Sequence, residues 1–387
     1  MKNTGIVCRI ISILLAVILL AVPVSATTAT EDMSIINGCH TIDAQVPMLI
    51  DSDEQITNIY SAFLYDYTNE TLIYALNPDV QYAPASLVKI MTGLIVAEQA
   101  TMTDQVTVRQ EVLDTLPYNS MGIGLQAGEI ISMEDLFYGI LVESANDAAA
   151  VAADHISGSQ TAFIQQMNDY AAQIGCTNTH FTNVHGLMDD RQRSTARDLA
   201  IITEEALKNQ QFRELFGLTQ YTMPATNLSD ERIIYTTNYM TSDVKVKGYT
   251  DDRVTGGKTA AATQTKRSLI CTAQIGTARY LSVVMSADSV MSEDKISVVS
   301  FGSFLETAKL LDHAEATYEV RQILESTQTY SRHPVQGGEN DVTLAPREDV
   351  FTVLPLTYEP GTLQFTPTIH TGALTAPLQV GTAVGSI

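Results

Sequence analysis

The chain has 387 residues, 45% of them hydrophobic and 17% charged, which is enough apolar material for two folded domains. A formal net charge of −22 argues against nucleic acid and anionic membrane surfaces as partners.

The cysteines and histidines are sparse and scattered. Cys39, Cys176 and Cys271 do not indicate a disulfide framework, so they are expected to act as small buried or partly buried apolar residues. His180 and His185 are the closest histidine pair, but they lack acidic or cysteine neighbours at ligand spacing. The sequence therefore predicts neither a metal site nor a cofactor.

The N-terminus is typical of an exported protein. Lys2 and Arg9 precede an apolar run over residues 10–22, and small residues follow as far as Ala26. This order predicts a secretory signal peptide over residues 1–26 that is cleaved after Ala26. An uncleaved anchor is the alternative, but about 13 apolar residues are too few to span a bilayer. Without this segment 20 basic and 44 acidic residues remain, a net charge of −24, in a mature protein that acts outside the cytoplasm.

After a lead segment over residues 27–48, a first domain is predicted over residues 49–316. It opens with a β-hairpin, because two β-prone apolar runs flank turn residues at 68–70. Apolar periodicity and helix-start residues predict the later elements. In chain order these are a helix from Pro84 to about Ala100, a helical block over 133–174, a helix that starts at 194–198, strands over 268–273 and 279–287, and a helix around 304–311.

Residues 317–387 differ in character from the rest of the chain. Prolines and glycines separate short runs in which apolar and polar residues alternate, and this pattern predicts a small all-β module. A disordered tail is the alternative, but the apolar alternation persists to the end of the chain.

The most informative motif is Ser86-Leu87-Val88-Lys89, which follows Pro84 at the predicted start of a helix. Residues three apart project from one helix face, so the serine hydroxyl and the lysine amine are neighbours. A desolvated lysine amine can remove the serine proton, and the free N–H groups of a helix start suit an oxyanion. By itself, this spacing arises by chance roughly once in a chain of this length, mostly as a surface pair.

Two further clusters offer partners to this pair. Ser144 can relay a proton and Asn146 can orient a substrate amide, although Ser-x-Asn alone is usually a cap or a turn. Lys258 and Thr259 follow two glycines at a strand start, where the backbone can pair with an extended peptide. Their ammonium and hydroxyl groups suit a terminal carboxylate, although such a pentapeptide alone is usually a solvated turn before an edge strand.

In this order the three clusters resemble the Ser-x-x-Lys, Ser-x-Asn and Lys-Thr-Gly motifs of penicillin-binding serine acyltransferases. Residues 118–125, 128–129, 135–141, 178–187 and 194–199 narrow the resemblance to low-molecular-mass D-alanyl-D-alanine carboxypeptidases, peptidase family S11. The resemblance covers about residues 49–316 and extends more loosely over the β module. It implies an α/β (α+β) catalytic domain of the β-lactamase/transpeptidase type, with an antiparallel sheet and a helical subdomain, followed by the small all-β domain.

The resemblance also implies an activity. The expected substrate is a peptidoglycan stem peptide that ends in D-Ala-D-Ala, and β-lactams are expected as covalent inhibitors. Residues 183–187 are expected to form a scaffold turn that takes no part in catalysis. The resemblance implies that Ser86 is the nucleophile and Lys89 its base, with Ser144 as proton relay and Asn146 as substrate clamp. It also implies that Thr259 helps to hold the substrate carboxylate and that Lys258 keeps the local potential positive. The backbone N–H groups of Ser86 and Ala261 are expected to hold the oxyanion.

The chain departs from the family pattern in three places. Ala260 stands where the third motif usually has glycine. The arginine that usually faces the substrate carboxylate before the last helix of the domain is missing, and Lys266 and Arg267 are the nearest candidates to replace it. The sequence shows neither the final strands that the β module usually has in the family nor a membrane anchor beyond them, so the chain is expected to be truncated there.

Two alternatives stay open at this stage. One is a β-lactamase or a D,D-endopeptidase of the same superfamily, although no segment resembles a deacylation loop with its own glutamate. The other is a catalytically silent peptidoglycan-binding relative, which Ala260 and the missing arginine motivate.

Overall fold

The computed structural model of the chain describes residues 16–17, 59–359, 361, 363, 365–370 and 372–386. The chain divides into two compact units, residues 43–316 and residues 1–42 with 317–387. The predicted cleavage after Ala26, the lead segment 27–48 and Cys39 lie outside the described residues. Of the predicted signal peptide only Ala16–Val17 is described, as a short strand.

The larger unit is built on a five-stranded antiparallel sheet in the order β2-β1-β5-β4-β3, which leaves β3 at an edge. The turn between β1 and β2 forms because Asp66 Oδ1 accepts hydrogen bonds from the backbone N–H groups of Thr68 (2.9 Å) and Asn69 (3.1 Å). The predicted hairpin and both later strands are confirmed. The strands are β1 Ser61–Asp66, β2 Thr71–Leu76, β3 Val254–Ala261, β4 Lys266–Ile275 and β5 Ala278–Asp288.

Helices cover the sheet and build the helical subdomain of this unit. Four of the starts follow from capping side chains, since Ser132, Ser159, Thr195 and Asn209 accept hydrogen bonds from backbone N–H groups in the first turn. The helices are α1 Val88–Gln99, α2 Gln110–Leu113, α3 Met133–Tyr138, α4 Asn146–Ser157, α5 Gln160–Gln173, α6 Ala196–Lys208, α7 Gln210–Phe216 and α8 Gly302–Thr317. The predicted helical segments are confirmed, but the block over 133–174 consists of separate helices.

Helix α1 is the centre of this unit. It packs against α6 and α4, and α6 in turn packs on β1 and β5. Every residue from Val88 to Val96 is buried, which is the pattern of a helix surrounded by protein. A 3₁₀ turn, Ala85–Leu87, precedes α1 and lies against the edge strand β3. This packing brings the start of the helix to the edge of the sheet.

Three two-stranded ribbons complete the larger unit: Gln105–Thr107 with Ile130–Ser132, Gln220–Met223 with Arg232–Tyr235, and Val290–Met291 with Val298–Ser300. Cys176 and Cys271 are buried free thiols, as predicted. In the part of the chain that is described, no helix has both the length and the apolar character needed to cross a bilayer.

The smaller unit consists of short antiparallel strand pairs, which confirms the predicted small all-β module. The pairs are Tyr318–Leu324 with Val350–Pro355, Ser331–His333 with Val342–Leu344, and Thr368–Ile369 with Gly385–Ser386, which also pairs with Ala16–Val17. Buried apolar residues in the described part of this unit include Leu324, Leu344, Val350, Val353 and Val384.

Candidate active site

Ser86 and Lys89 meet at the start of α1. Lys89 Nζ lies 3.4 Å from Ser86 Oγ and donates hydrogen bonds to Asn146 Oδ1 (2.7 Å) and to the backbone oxygen of His185 (2.5 Å). Lys89 is fully buried, whereas Ser86 is half-buried. The structure therefore brings the first two motifs together around one amine.

The surroundings of this amine favour its neutral form. Burial lowers the pKa of Lys89 well below its usual value, the charge of Lys258 lowers it further, and Asp147 opposes the shift. A neutral amine has two N–H donors and one lone pair. The two acceptors on Asn146 and His185 satisfy the donors, which leaves the lone pair for the Ser86 hydroxyl. The arrangement can remove the Ser86 proton as the oxygen attacks an acyl carbon.

Ser144 occupies an unusual backbone position. The chain forms a π-helical turn, Gly139–Glu143, and Ser144 ends it in the left-handed conformation at φ 65°. Such a conformation costs about 1–3 kcal/mol for a residue other than glycine and is concentrated at functional sites. Its consequence here is that Ser144 leaves the helical path between α3 and α4 and reaches Lys258.

Lys258 joins the third motif to the second. Its Nζ donates hydrogen bonds to Ser144 Oγ (2.6 Å) and to the backbone oxygen of Thr259 (3.1 Å). The side chain is fully buried, and burial lowers the pKa of Lys258 to about 7, with the charge of Glu143 acting in the opposite direction. Lys258 thus holds its ammonium group on Ser144, inside the protein.

Thr259 and Ala261 lie toward the end of the edge strand β3. The Thr259 hydroxyl donates a hydrogen bond to Thr237 Oγ1 (2.6 Å), a residue that the sequence analysis did not single out. Ala261 is exposed at the last position of the strand. The backbone N–H of Ala261 and that of Ser86 are thus presented by β3 and by the 3₁₀ turn that lies against it.

Ala260 fits the strand without exposing its methyl group. It is 5% exposed and pairs with Ser268, and alternation along β3 puts its side chain on the same face as Lys258. Glycine is needed earlier in the strand, because a Cβ on Gly257 would lie 2.7 Å from Ile270 O and one on Gly256 would lie 2.6 Å from Phe216 O.

Asp147 was missed by the sequence analysis, although it directly follows Asn146. Its carboxylate accepts hydrogen bonds from the backbone N–H groups of Ile123 (3.1 Å), Gly124 (3.0 Å) and Leu125 (3.1 Å). It therefore fastens the loop before Ile130 to the start of α4, beside the Asn146 amide. An acidic residue in the first turn of a helix was the available signal.

The segment 183–187 lies against the start of α1 and contacts Lys89. In addition to the His185 oxygen, the Val184 oxygen accepts a hydrogen bond from Thr92 Oγ1 (2.6 Å), and Gly186 packs against Ala85. Burial, and the charge of Lys89, lower the pKa of His185 to about 3, so its ring is neutral. The segment packs against the start of α1, and one of its carbonyl groups accepts a hydrogen bond from Lys89.

The described residues contain no group of three or more His, Cys, Asp or Glu side chains that can hold a metal ion. The chemistry that the arrangement supports directly is acyl transfer to the Ser86 hydroxyl.

Comparisons with known proteins place the chain in a family. The family model of D-alanyl-D-alanine carboxypeptidase matches residues 50–289. D-alanyl-D-alanine carboxypeptidase DacA of Haemophilus influenzae is 32% identical over 307 residues, which are 76% of this chain and 71% of that protein. DacC of Escherichia coli is 30% identical over 339 residues, 84% of this chain and 78% of that protein.

A comparison of folds gives a relative from the same group of proteins. The crystal structure of penicillin binding protein 5 from Haemophilus influenzae superposes with a TM-score of 0.67 at 29% identity, and the match covers 85% of this chain and 91% of that one. With the family match over most of residues 43–316, the α+β fold and the three motifs joined by the hydrogen bonds of two buried amines, the chain belongs to the D-alanyl-D-alanine carboxypeptidase family, peptidase S11.

Proposed function

We propose that the protein is a serine D-Ala-D-Ala carboxypeptidase, which removes the terminal D-alanine from peptidoglycan stem peptides through an acyl-enzyme. The observation that carries the proposal is the position of Lys89 Nζ, 3.4 Å from Ser86 Oγ, with both of its remaining donors satisfied by Asn146 and His185. Membership of the carboxypeptidase family supports the choice of substrate.

In the acylation step, Lys89 takes the hydroxyl proton of Ser86 and the oxygen attacks the carbonyl carbon of the penultimate D-alanine. The backbone N–H groups of Ser86 and Ala261 hold the oxyanion of the tetrahedral intermediate. The C–N bond then breaks, and Ser144 passes to the leaving amine the proton that Lys89 had taken, which leaves Lys89 neutral again. A water molecule hydrolyses the ester, which gives the shortened peptide and restores the Ser86 hydroxyl.

The remaining site residues act by orientation and charge. Asn146 binds the substrate amide and, through Oδ1, keeps Lys89 in place. The Thr259 hydroxyl binds the terminal carboxylate of the substrate. Lys258 holds a hydrogen bond to Ser144 and, by its charge, favours the neutral form of Lys89. β-Lactams acylate Ser86 by the same route.

The proposal extends to where the protein works. Its substrate lies outside the cytoplasm, which agrees with export by a signal peptide over residues 1–26. The catalytic domain would then span residues 49–316, after the lead segment 27–48, with the β-rich domain at 317–387.

The test is release of free D-alanine from a pentapeptide that ends in D-Ala-D-Ala, together with uptake of a labelled penicillin. Wild-type protein is expected to do both, whereas Ser86→Ala does neither while it keeps its fold by circular dichroism. A wild-type protein that releases no D-alanine and takes up no penicillin would overturn the proposal. Penicillin turnover without D-alanine release would point to a β-lactamase, and cleavage only within cross-links to an endopeptidase.

A further inference from the structure

A carboxypeptidase substrate ends in a carboxylate one residue beyond the bond that is cleaved, and a cation at that distance would select for it. Given the proposed function, on which this inference rests, the cations to consider are those near the end of β3. Lys89 and Lys258 are fully buried, and their hydrogen bonds go to groups of the site itself. Lys266 forms an ion pair with Asp288 (2.5 Å). Among the described cations that flank the end of β3, Arg267 has no ion pair of this kind.

The register of the sheet puts Arg267 beside Thr259. Arg267 pairs directly with Ala261, and Thr259 pairs with Leu269. Side chains of directly paired residues share a face and alternate residues return to it, so Thr259, Ala261 and Arg267 all project from one face. Diagonal neighbours across two antiparallel strands lie roughly 7–8 Å apart, within reach of an arginine side chain. A carboxylate between the two side chains can contact both.

Within the described part of the chain, the Arg267 guanidinium has no anionic partner. It is half-buried, its Nε is buried without a hydrogen bond, and no carboxylate of the described chain pairs with it. The guanidinium lies over the Phe301 ring, whose centroid is 5.0 Å away, and Tyr239 packs edge-on against that ring. Burial lowers the pKa of Arg267 below its usual value.

A half-buried charge without a counter-ion is costly unless a partner arrives from outside. The Phe301 ring lies within cation–π range of the guanidinium, and a guanidinium can bind a carboxylate through two parallel N–H bonds.

We propose that Arg267 is the residue that receives the terminal carboxylate of the substrate, together with the hydroxyl of Thr259. The guanidinium thereby positions the scissile carbonyl over Ser86, and it makes the site selective for peptides with a free C-terminus. Phe301 orients the guanidinium, and Lys266 takes no part because Asp288 neutralises it.

The experiment compares two peptides that differ only at the C-terminus, one with a free carboxylate and one with a carboxamide. Wild type is expected to prefer the carboxylate. Arg267→Gln is expected to lose about 10- to 100-fold in kcat/KM on the carboxylate peptide, the range of hydrogen bonds to a charged group. Its kcat/KM on the carboxamide peptide should change less than about twofold. Arg267→Lys should restore part of the preference, and the matched control Lys266→Gln should keep all of it.

A third probe separates this inference from the proposed function. In a peptidyl boronic acid, boron replaces the penultimate carbonyl and the terminal residue is absent, so the probe engages Ser86 without any carboxylate. Arg267→Gln is expected to bind it as tightly as wild type, within about twofold, which also shows that the variant is folded.

Equal losses on both peptides, or a wild type that does not distinguish them, would overturn the role of Arg267 and leave the proposed function intact. A wild type that binds no boronic acid and cleaves neither peptide overturns the proposed function itself.

Discussion

Lys258 Nζ lies 2.6 Å from Ser144 Oγ, although the two residues are 114 positions apart in the chain and neither is more than 3% exposed. This contact joins the edge strand to the helical subdomain, and it holds a titratable group whose charge reaches Lys89. The electrostatics of the site therefore depend on a lysine that has no contact with solvent.

Replacing Lys258 by methionine is expected to make the protein more stable and less active. The pKa of Lys258 is about 7 in the folded chain and 10.5 in the reference state, so between these values the unfolded chain binds the proton more strongly. The lysine therefore destabilises the fold at neutral pH, and this penalty shrinks as the pH rises toward 10.5. Lys258→Met should raise the free energy of unfolding at pH 7 by about 1–2 kcal/mol.

The same variant should slow penicillin acylation by about 100-fold, because Ser144 loses its donor and Lys89 loses a charge that keeps it neutral. Urea denaturation at pH 7 and pH 10.5, with labelled penicillin as the kinetic probe, checks both effects. A variant that is destabilised at pH 7 and equally destabilised at pH 10.5 would contradict the account.

The acylation rate of the wild type is expected to rise and then fall with pH. On the acid side Lys89, whose pKa is well below its usual value, loses its proton and gains a lone pair. On the alkaline side Lys258 loses its charge as the pH passes about 7. Stopped-flow acylation by labelled penicillin between pH 5 and 10 measures the profile.

Lys258→Arg serves as the matched variant for this profile, because a guanidinium stays protonated across the whole range. Its rate should be lower, but its alkaline limb should be absent. A wild-type rate that climbs without a break to pH 10 argues against a role for protonated Lys258.

Gly186→Ala is expected to damage the site through the backbone. Gly186 has φ 88°, and a Cβ there would lie 2.0 Å from the oxygen of Ala85, the residue before Ser86. Because Ala85 itself is left-handed at φ 47°, it has little freedom to move. The substitution should cost about 2–4 kcal/mol and slow acylation of Ser86 by at least about tenfold.

The control for this prediction is Gly158→Ala, at the end of α4. Gly158 has a similar φ of 71° but no atom within 4 Å of the added Cβ, so it reports the conformational cost alone. It should cost about 1 kcal/mol and leave acylation unchanged. If the two variants behave alike, packing against Ala85 is not what makes Gly186 necessary.

Asp147→Asn is expected to loosen the loop that crosses the start of α4. The carboxylate accepts hydrogen bonds from three backbone N–H groups of residues 123–125, and an amide would turn an NH₂ group toward one of them. A loss of about 2–3 kcal/mol in stability should follow. Hydrogen exchange should show faster exchange of the Gly124 and Leu125 amides.

Asp79→Asn is the comparison for this prediction, because its carboxylate is 46% exposed and pairs with Arg197 at the surface. It should cost less than about 1 kcal/mol. Unchanged amide exchange in Asp147→Asn would mean that the loop is held by other contacts.

The sequence predicts the local parts of this structure well. The hairpin at 68–70 and the helix start at Ser132 arise from side chains that bond to backbone groups two or three residues away. Both partners of such a contact lie within a few residues of each other in the chain, so residue type and spacing predict it. The three motifs could also be recognised from the sequence, because the reactive groups of each motif lie within a few consecutive residues.

What the sequence did not reveal depends on distant partners. The left-handed conformation of Ser144 follows from a π-helical turn that the apolar period of the segment does not distinguish from an ordinary helix. Thr237 became part of the site only because the chain returns to Thr259. The fit of Ala260, expected to crowd the substrate or to be accommodated, depended on which face of β3 its methyl group takes.

The burial of α1 has a consequence for how this protein tolerates mutation. From Val88 to Val96 every position is surrounded by protein, whereas in α5 the buried residues are Phe163, Met167 and Ala171, four positions apart. A scan of all single substitutions should therefore read as a solid block of intolerance along α1 and as a periodic stripe along α5. Substitutions should therefore be tolerated least in the helix that contains Lys89 and most in loops and outer helices.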